Sequence, residues 1–177
     1  MSEKFTKVRN GWVGVIADTH IPVRACHLPP EIFQHFEGAS MIIHAGDLVE
    51  ENVVTELEAI APVLAVSGNM DPLSLYHKFG GKNIVSINGL KIGVVHGKGR
   101  GDFTKEWVCQ MFSPKYYDGV VFGHLHRPII EKRNSYTLFN PGSPTNPRGS
   151  SPSCGRLWEE NGKLITEIIS IRDGVKG

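Results

Sequence analysis

The chain has 177 residues, a net charge of +1 with neutral histidines, and 21% charged residues. This length suits a single domain, residues 1–177, with a sizeable hydrophobic core. The near-neutral balance and the lack of a basic block predict no nucleic-acid surface. No apolar run approaches the roughly 18 residues that a membrane span needs, so we expect no membrane partner.

Residues 1–10 are mostly polar and lack the apolar stretch of a signal peptide. We expect them to form a flexible tail. Cysteine is present only as Cys26, Cys109 and Cys154, an odd number of widely spaced residues. This pattern predicts reduced thiols and a cytoplasmic location rather than a disulfide framework.

The first half of the chain alternates strand and helix signals. Short apolar runs rich in β-branched residues predict buried strands at 12–17, 40–44 and 63–66. Pro29-Pro30 opens a helix after the first strand, and a second helix ends before Pro62. Strand–helix–strand order at these lengths predicts right-handed crossovers and a parallel sheet.

The second half has hairpin signals. Asn88-Gly89 separates two apolar runs, and Asn161-Gly162 marks a last turn. Between them we expect a helix capped by Asp102, and strands at 120–122, 129–132 and 136–139. Phe103, Trp107 and Met111 fall on one side of that helix. The whole predicts a mixed α/β fold with a parallel half followed by an antiparallel half.

Five polar clusters follow predicted strands, and their ordered series is the main functional signal. They are Asp18-Thr19-His20, Gly46-Asp47, Gly68-Asn69-Met70-Asp71, His96-Gly97 and Gly123-His124-Leu125-His126. Each alone also fits an ordinary turn or a buried polar residue. Because ligands bind beyond the carboxyl ends of strands in open α/β sheets, we expect the clusters to share one cleft. Carboxylate, imidazole and amide ligands together predict metal-assisted hydrolysis.

The ligands divide naturally into two metal sites. Two cations about 3.5–4 Å apart need a bridging carboxylate, and Asp47 lies between the first and third clusters in the sequence. The remaining candidates form a first and a second set: Asp18, His20 and His126, then Asn69, His96 and His124.

This ordered series resembles the calcineurin-like metallophosphoesterase superfamily, and within it the small YfcE-like phosphodiesterases. The similarity runs from Val13 to Arg148 and includes the element Asn140-Pro141-Gly142-Ser143. It implies a four-layer αββα sandwich, in which two mixed β-sheets are flanked by helices. It also implies a dinuclear centre with a metal-bridging hydroxide as nucleophile.

The resemblance implies hydrolysis of a small phosphate diester, with four of the metal ligands also catalytic: Asp47, Asn69, His96 and His124. We expect two divalent ions, manganese first, while nickel, iron and zinc remain open. The alternative is a non-catalytic scaffold like the retromer subunit of the same fold, whose site is degraded. The complete ligand set favours an enzyme. The natural substrate, monoester activity and homo-oligomerisation are not readable from the sequence.

One departure from many relatives concerns the leaving group. Many members carry His after the Asn ligand, thought to protonate the leaving group, whereas this chain has Met70. The YfcE-like group generally lacks that His as well. Asp71 is expected to orient the loop. Loop cations are predicted to bind phosphate, with solvated surface charge as the alternative: Arg24, Lys98, Arg100 and Arg148.

Overall fold

The computed structural model describes residues 5–171. Its strands are β1 (Phe5–Val8), β2 (Val13–Ile16), β3 (Met41–His44), β4 (Val63–Ala65), β5 (Lys82–Ile87), β6 (Leu90–Val95), β7 (Gly119–Phe122), β8 (Pro128–Arg133), β9 (Tyr136–Pro141), β10 (Ser153–Glu160) and β11 (Lys163–Ser170). Its helices are α1 (Pro30–Phe36), α2 (Asn52–Glu58), α3 (Leu73–Phe79) and α4 (Asp102–Met111). None of these helices is long and apolar enough to span a membrane.

The strands form two mixed sheets. The six-stranded sheet has the order β1-β5-β6-β7-β9-β8, and the five-stranded sheet has the order β11-β10-β2-β3-β4. Strands β2, β3 and β4 are parallel, as predicted for the first half. The expectation of an antiparallel second half is confirmed for the pairs β5–β6, β8–β9 and β10–β11. It was wrong for β6, β7 and β9, which run parallel. Helix α4 returns the chain from the end of β6 to the start of β7, and such a crossover produces a parallel pair.

Three apolar clusters define the layers. The first packs one sheet against the other, for example Val15 and Ile43 with Val94 and Val121. The second joins the outer face of the five-stranded sheet to α1, α2 and α3. The third joins the outer face of the six-stranded sheet to α4. This order of helix, sheet, sheet and helix confirms the αββα sandwich.

The close approach of α4 to its sheet depends on one glycine. A Cβ on Gly93 of β6 would lie 2.2 Å from the ring of Phe112, just after α4. The helix contacts the sheet through Thr104 and Val108, which are fully buried. Phe103 of the predicted face is 59% exposed. The buried face of α4 is therefore shifted by one residue from the predicted face. Thr104, Val108 and Phe112 pack against the sheet, each one position after a predicted residue.

Other expectations differ from the structure. The flexible-tail prediction was wrong for residues 5–8, which form β1 and pair in parallel with β5. Val8 is buried between the sheets, which explains why the segment is held. Residues 1–4 of the predicted tail lie outside the described range. The helix α3 was not predicted. Asp102 makes no side-chain capping hydrogen bond and instead pairs with Lys105 at 2.6 Å.

Candidate metal centre

The two sheets bring their strand-end loops together at one edge of the sandwich. Loops after β2, β3 and β4 come from the five-stranded sheet, and loops after β6 and β7 come from the six-stranded sheet. Backbone hydrogen bonds join these loops, including Asp18 N to Gly46 O at 3.0 Å and His20 N to Asp47 O at 3.0 Å. All seven predicted metal ligands lie in these loops, and the structure brings them together.

The first ligand group is buried and compact. Its four members each place one ligand atom within 4.8 Å of the others: Asp18, His20, Asp47 and His126. The Nε2 atoms of His20 and His126 lie 3.3 Å apart. His126 Nε2 is 3.5 Å from Asp18 Oδ1, and His20 Nε2 is 3.4 Å from Asp47 Oδ2. Four donor atoms so closely directed at one another suit a shared cation.

The second ligand group lies beside the first. Asn69 Oδ1 is 3.2 Å from His96 Nε2 and 3.0 Å from His124 Nδ1. Asp47 Oδ2 is 3.3 Å from His96 Nε2, close to its separation from His20 in the first group. The carboxylate of Asp47 therefore stands between both groups.

Backbone carbonyls determine which ring nitrogen carries a proton in three histidines. His96 Nδ1 donates to Ala45 O at 2.8 Å, His124 Nε2 donates to Gly99 O at 2.8 Å, and His126 Nδ1 donates to Asn146 O at 2.6 Å. A carbonyl oxygen can only accept, so the contacting nitrogen carries the proton. In the neutral imidazole the other nitrogen keeps its lone pair, and in each case it faces the centre. Metal-binding histidines are oriented in this way.

The ligand loops have an uncommon backbone conformation. Five ligand residues have positive φ angles between 46° and 70°: Asp18, His20, Asp47, His124 and His126. For residues other than glycine, this backbone conformation costs on the order of 1–3 kcal/mol each. Here the conformation turns each side chain from the strand end toward the shared centre.

Electrostatics test whether a cation fits. Burial raises the pKa of Asp18 to about 7. Its Oδ2 atom is buried and has no hydrogen-bond partner among residues 5–171. Burial alone disfavours a charged His96, but its hydrogen bond to Asp47 and the field of Asp18 raise its pKa to about 9. Without a metal, a proton on His96 thus supplies the positive charge between two carboxylates. An unpartnered buried carboxylate oxygen and this need for positive charge both fit a bound cation.

The remaining pKa directions agree with neutral imidazoles and an ionised bridge. Burial lowers the pKa of His126 to about 4, and it also lowers the pKa of His20 and His124. Burial opposes ionisation of Asp47, but the hydrogen bond and charge of His96, the N–H of Met70 and the charge of His20 together lower the pKa of the carboxyl. These are the protonation states that metal binding requires.

A carboxylate outside the ligand set holds the loops. Asp71 Oδ2 accepts hydrogen bonds from the N–H of Asp47 at 3.0 Å and of Gly68 at 2.7 Å. Its Oδ1 accepts from the N–H of Val49 at 2.7 Å. The prediction that Asp71 orients its loop is confirmed, and its reach extends to the loop after β3.

Other side chains also support the ligand loops. Ser143 Oγ donates to Asp18 O at 2.7 Å, and Thr145 Oγ1 donates to Thr19 O at 2.6 Å. Ser143 belongs to the Asn140–Ser143 element noted above, so its motif was visible but its contact was not. His44 lies beneath the centre, where its Nδ1 accepts from Gly46 N at 3.2 Å. Burial lowers the pKa of His44 to about 3, so it stays neutral.

Five of the seven candidate ligands line a cavity of about 200 Å³, called here the metal cleft: His20, Asp47, Asn69, His124 and His126. Val23, Met70 and Asn146 also bound it. Of the four predicted phosphate-binding cations, Arg24 and Arg148 line this cleft. Lys98 does not, because its Nζ lies 5.0 Å from the centroid of the Trp107 ring. Arg100 is not among the lining residues either. Sequence alone could not distinguish these loop cations.

Comparison with known proteins identifies the family. Residues 12–162 match the calcineurin-like phosphoesterase superfamily domain, and the chain belongs to that family. A probable metallophosphoesterase of Methanothermobacter thermautotrophicus is 38% identical over 163 residues, covering 89% of this chain and 91% of the relative. A phosphodiesterase of Methanocaldococcus jannaschii is 29% identical over 170 residues, covering 89% and 98% respectively.

Among solved structures, vacuolar protein sorting 29 from Cryptosporidium parvum has the same fold. Its TM-score is 0.70 at 21% identity, covering 92% of this chain and 98% of that chain. The predicted superfamily and fold are thereby confirmed. The family is metal-dependent, and the buried Asp/His cluster provides a suitable place for a metal ion.

Proposed function

We propose that this protein is a phosphodiesterase that hydrolyses a small phosphate diester at a dinuclear metal centre. The first ion would be held by Asp18, His20, Asp47 and His126, and the second by Asp47, Asn69, His96 and His124. Manganese is the proposed native metal, since mixed oxygen and nitrogen ligands suit it. The name of the Methanocaldococcus jannaschii relative supports the reaction class.

One observation carries the proposal. Asp47 Oδ2 lies 3.4 Å from His20 Nε2 and 3.3 Å from His96 Nε2, so one carboxylate oxygen faces both ligand groups. A bridging carboxylate is what two closely spaced cations need. Its Oδ1 accepts the N–H of Met70 at 2.7 Å, which holds the carboxylate in this orientation.

Different residues of the chain would bind the substrate and position the metals. When bound, two divalent ions lower the pKa of a shared water and neutralise phosphate oxygens. Arg24 and Arg148 on the cleft wall would bind the non-bridging phosphate oxygens and position the diester. Asn69 and His124 would hold the second ion in position. Met70, also on the wall, can donate no proton to a leaving group.

A non-catalytic scaffold is less well supported. The likeness to vacuolar protein sorting 29 is one of fold. This chain retains every ligand side chain, and three of its histidines have carbonyl partners that leave a nitrogen free for a metal. A scaffold does not require such a set.

Metal analysis and hydrolysis test the proposal together. The protein is stripped with a chelator, reconstituted with excess Mn²⁺ and freed of loose ions. We expect close to two equivalents of Mn²⁺ per chain, hydrolysis of bis(4-nitrophenyl) phosphate, and loss of hydrolysis on chelation. Failure to bind more than one equivalent of any divalent metal tried would refute the dinuclear centre. Absence of hydrolysis by the doubly loaded chain would refute the phosphodiesterase.

Substitutions of two candidate ligands are compared with that of a histidine outside the site. Asp47→Asn should remove nearly all activity and reduce metal binding, with far-UV circular dichroism unchanged. His124→Ala should lose the second equivalent first. His77→Ala, on the exposed side of α3, should behave like the parent protein.

A further inference from the structure

A second depression lies beside the metal cleft and shares Arg148 with it. This side groove offers about 530 Å³, and its walls include Lys105, Leu125, Arg127, Ile129 and Arg148. The metal cleft offers about 200 Å³. A phosphate group with its metals fills much of the smaller space, whereas the side groove has the volume of a site for an organic group.

The side groove combines apolar and cationic walls. Leu125 and Ile129 are half-buried and pack against the cluster under α4. Lys105, Arg127 and Arg148 supply three cations against the single carboxylate of Asp102. Lys105 already pairs with Asp102 at 2.6 Å and with Glu131 at 3.0 Å. Among the described residues, no carboxylate forms an ion pair with Arg127 or Arg148, so both guanidinium groups can still pair with an anion.

The guanidinium of Arg127 is held in place. Its Nε donates to the carbonyl of Arg148 at 2.6 Å. Its Nη2 lies over Gly149, 2.7 Å from where a Cβ on that residue would stand. One N–H is thus used to fix the side chain, while the other nitrogen atoms remain for a ligand. A preorganised guanidinium suits a phosphate because it can donate two parallel hydrogen bonds.

Arg148 borders both spaces. Its backbone N–H donates to His126 O at 3.2 Å, and the residue lines the metal cleft beside the candidate ligands. It also borders the side groove. A substrate whose scissile phosphate lies in the metal cleft would therefore extend past Arg148 toward Arg127.

We propose that the side groove binds the second ester arm of the substrate, and that this arm is a nucleoside carrying a further phosphate. The ring system would lie against Leu125 and Ile129, and the further phosphate would bind Arg127. This inference rests on the proposed phosphodiesterase function and specifies its substrate class as nucleotide diesters with an additional phosphate.

A matched pair of chromogenic substrates tests the side groove. One is the 4-nitrophenyl ester of thymidine 5′-phosphate, and the other is the same compound with a 3′-phosphate. Both release the same 4-nitrophenolate, so the ratio of their kcat/KM values reports only the added phosphate. Charge-assisted hydrogen bonds contribute about 1.5–3 kcal/mol, so the Mn²⁺-loaded parent should prefer the 3′-phosphorylated compound by about tenfold or more.

Substitution of Arg127 locates the preference. Arg127→Gln should bring the ratio close to one, mainly by raising KM for the longer substrate, and Arg127→Lys should retain part of it. Lys163→Gln removes one positive charge in β11 and should keep the parent's ratio. Arg127 is exposed, so folding of its variants is expected and is checked by circular dichroism. A parent ratio near one, or an Arg127→Gln ratio equal to the parent's, would overturn the inference.

Direct binding separates this inference from the catalytic one. Thymidine 3′,5′-bisphosphate is titrated calorimetrically into the full-length chain in chelator, where no turnover occurs. Arg127→Gln should weaken binding about tenfold or more, as expected for one charge-assisted contact. Equal affinities for parent and Arg127→Gln would reject the side groove as the binding site. If no diester is hydrolysed but binding depends on Arg127, the catalytic proposal alone fails.

Discussion

Met70 lines the metal cleft with its side chain and contacts a candidate ligand with its backbone. Its side chain is 55% exposed on the cleft wall, while its backbone N–H donates to Asp47 Oδ1 at 2.7 Å. The contact with the bridging carboxylate therefore survives any side chain at this position except proline. Lys98, one of the loop cations predicted to bind phosphate, could donate a proton from its ammonium group, but it lies against Trp107.

We predict that hydrolysis depends steeply on the pKa of the leaving alcohol. A nitrophenolate can depart unprotonated, but an alkoxide needs a proton, and general acid catalysis typically supplies about 10²–10⁴-fold. A series of aryl and alkyl phosphodiesters at fixed pH and metal measures the slope. Met70→His should flatten it for poor leaving groups, whereas Met70→Leu should not. A flat dependence in the parent would show that another acid acts.

Asp71 holds the ligand loops after β3 and β4 in position. Its carboxylate accepts three backbone N–H groups, from Asp47, Val49 and Gly68. In Asp71→Asn one oxygen becomes an NH₂ group and can no longer accept. We expect a loss of about 1–3 kcal/mol of stability, measured by urea unfolding in chelator.

The same substitution should weaken Mn²⁺ binding by about 10–100-fold, since it displaces the groups that orient the ligands. Asp118→Asn is the matched control. Asp118, just before β7, also accepts a backbone N–H, from Lys91 at 2.7 Å, but it contacts none of the ligand loops. Equal metal affinities for the two variants would contradict the positioning role of Asp71.

At the scale of elements, turn chemistry and buried apolar runs were reliable guides. Asn88-Gly89 and Asn161-Gly162 separate hairpin strands as predicted, and both residues of each turn have positive φ. The segment of α3 has one buried residue, Leu75, so it lacks the periodic apolar face that reveals a helix. The strand β1 contains a lysine and a threonine in four residues, and its partner β5 is far away in sequence. Local pattern cannot reveal such a pairing.

The contact of α4 with β6 provides a prediction at this scale. Gly93→Ala would place a Cβ 2.2 Å from the Phe112 ring, so the helix or the ring must move. Overpacking of this kind typically costs about 1–3 kcal/mol, visible as a lower urea midpoint. Phe112→Leu alone should also destabilise by leaving a void. The double variant should be more stable than the sum of the single effects predicts. Strict additivity would contradict direct contact.

At the scale of the whole molecule, the candidate metal centre lies between the two sheets. Four ligands follow strands of the five-stranded sheet, and three follow strands of the six-stranded sheet. Asp18, for example, contacts the loop of the opposite sheet, where its Oδ1 accepts His124 N at 3.1 Å. Bound ions would therefore hold the sheets together at this edge.

We predict that Mn²⁺ raises the free energy of unfolding, by about 2.7 kcal/mol at one hundred times the dissociation constant. Amide hydrogen exchange at the carboxyl ends of β2 and β3 should slow together with that of β6 and β7. Asp47→Asn should remove both effects. Slowing confined to one sheet would show that the metal does not join them.

The convergence of the seven candidate ligands was predictable because it follows from strand order. Clusters at the carboxyl ends of β2, β3, β4, β6 and β7 must meet once these strands lie in neighbouring sheets. Exposed cations lack such a constraint, so Arg148 reached the cleft while Lys98 packed on an indole. The side groove was equally hidden, since Leu125 reads in the sequence as a spacer between His124 and His126.

Five candidate ligand residues have a left-handed backbone, where the side chain that could bind a metal also lowers the stability of the fold. At such a position glycine is more stable than alanine by about 1 kcal/mol, because it has no Cβ to clash. Metal-free His124→Gly should thus unfold at higher urea concentration than His124→Ala, whereas at His77, within α3, the order should reverse. Selection for robustness alone would drive these loops toward glycine. Under the proposed function, these five residues keep side chains that can bind a metal, although glycine at the same positions would make the fold more stable.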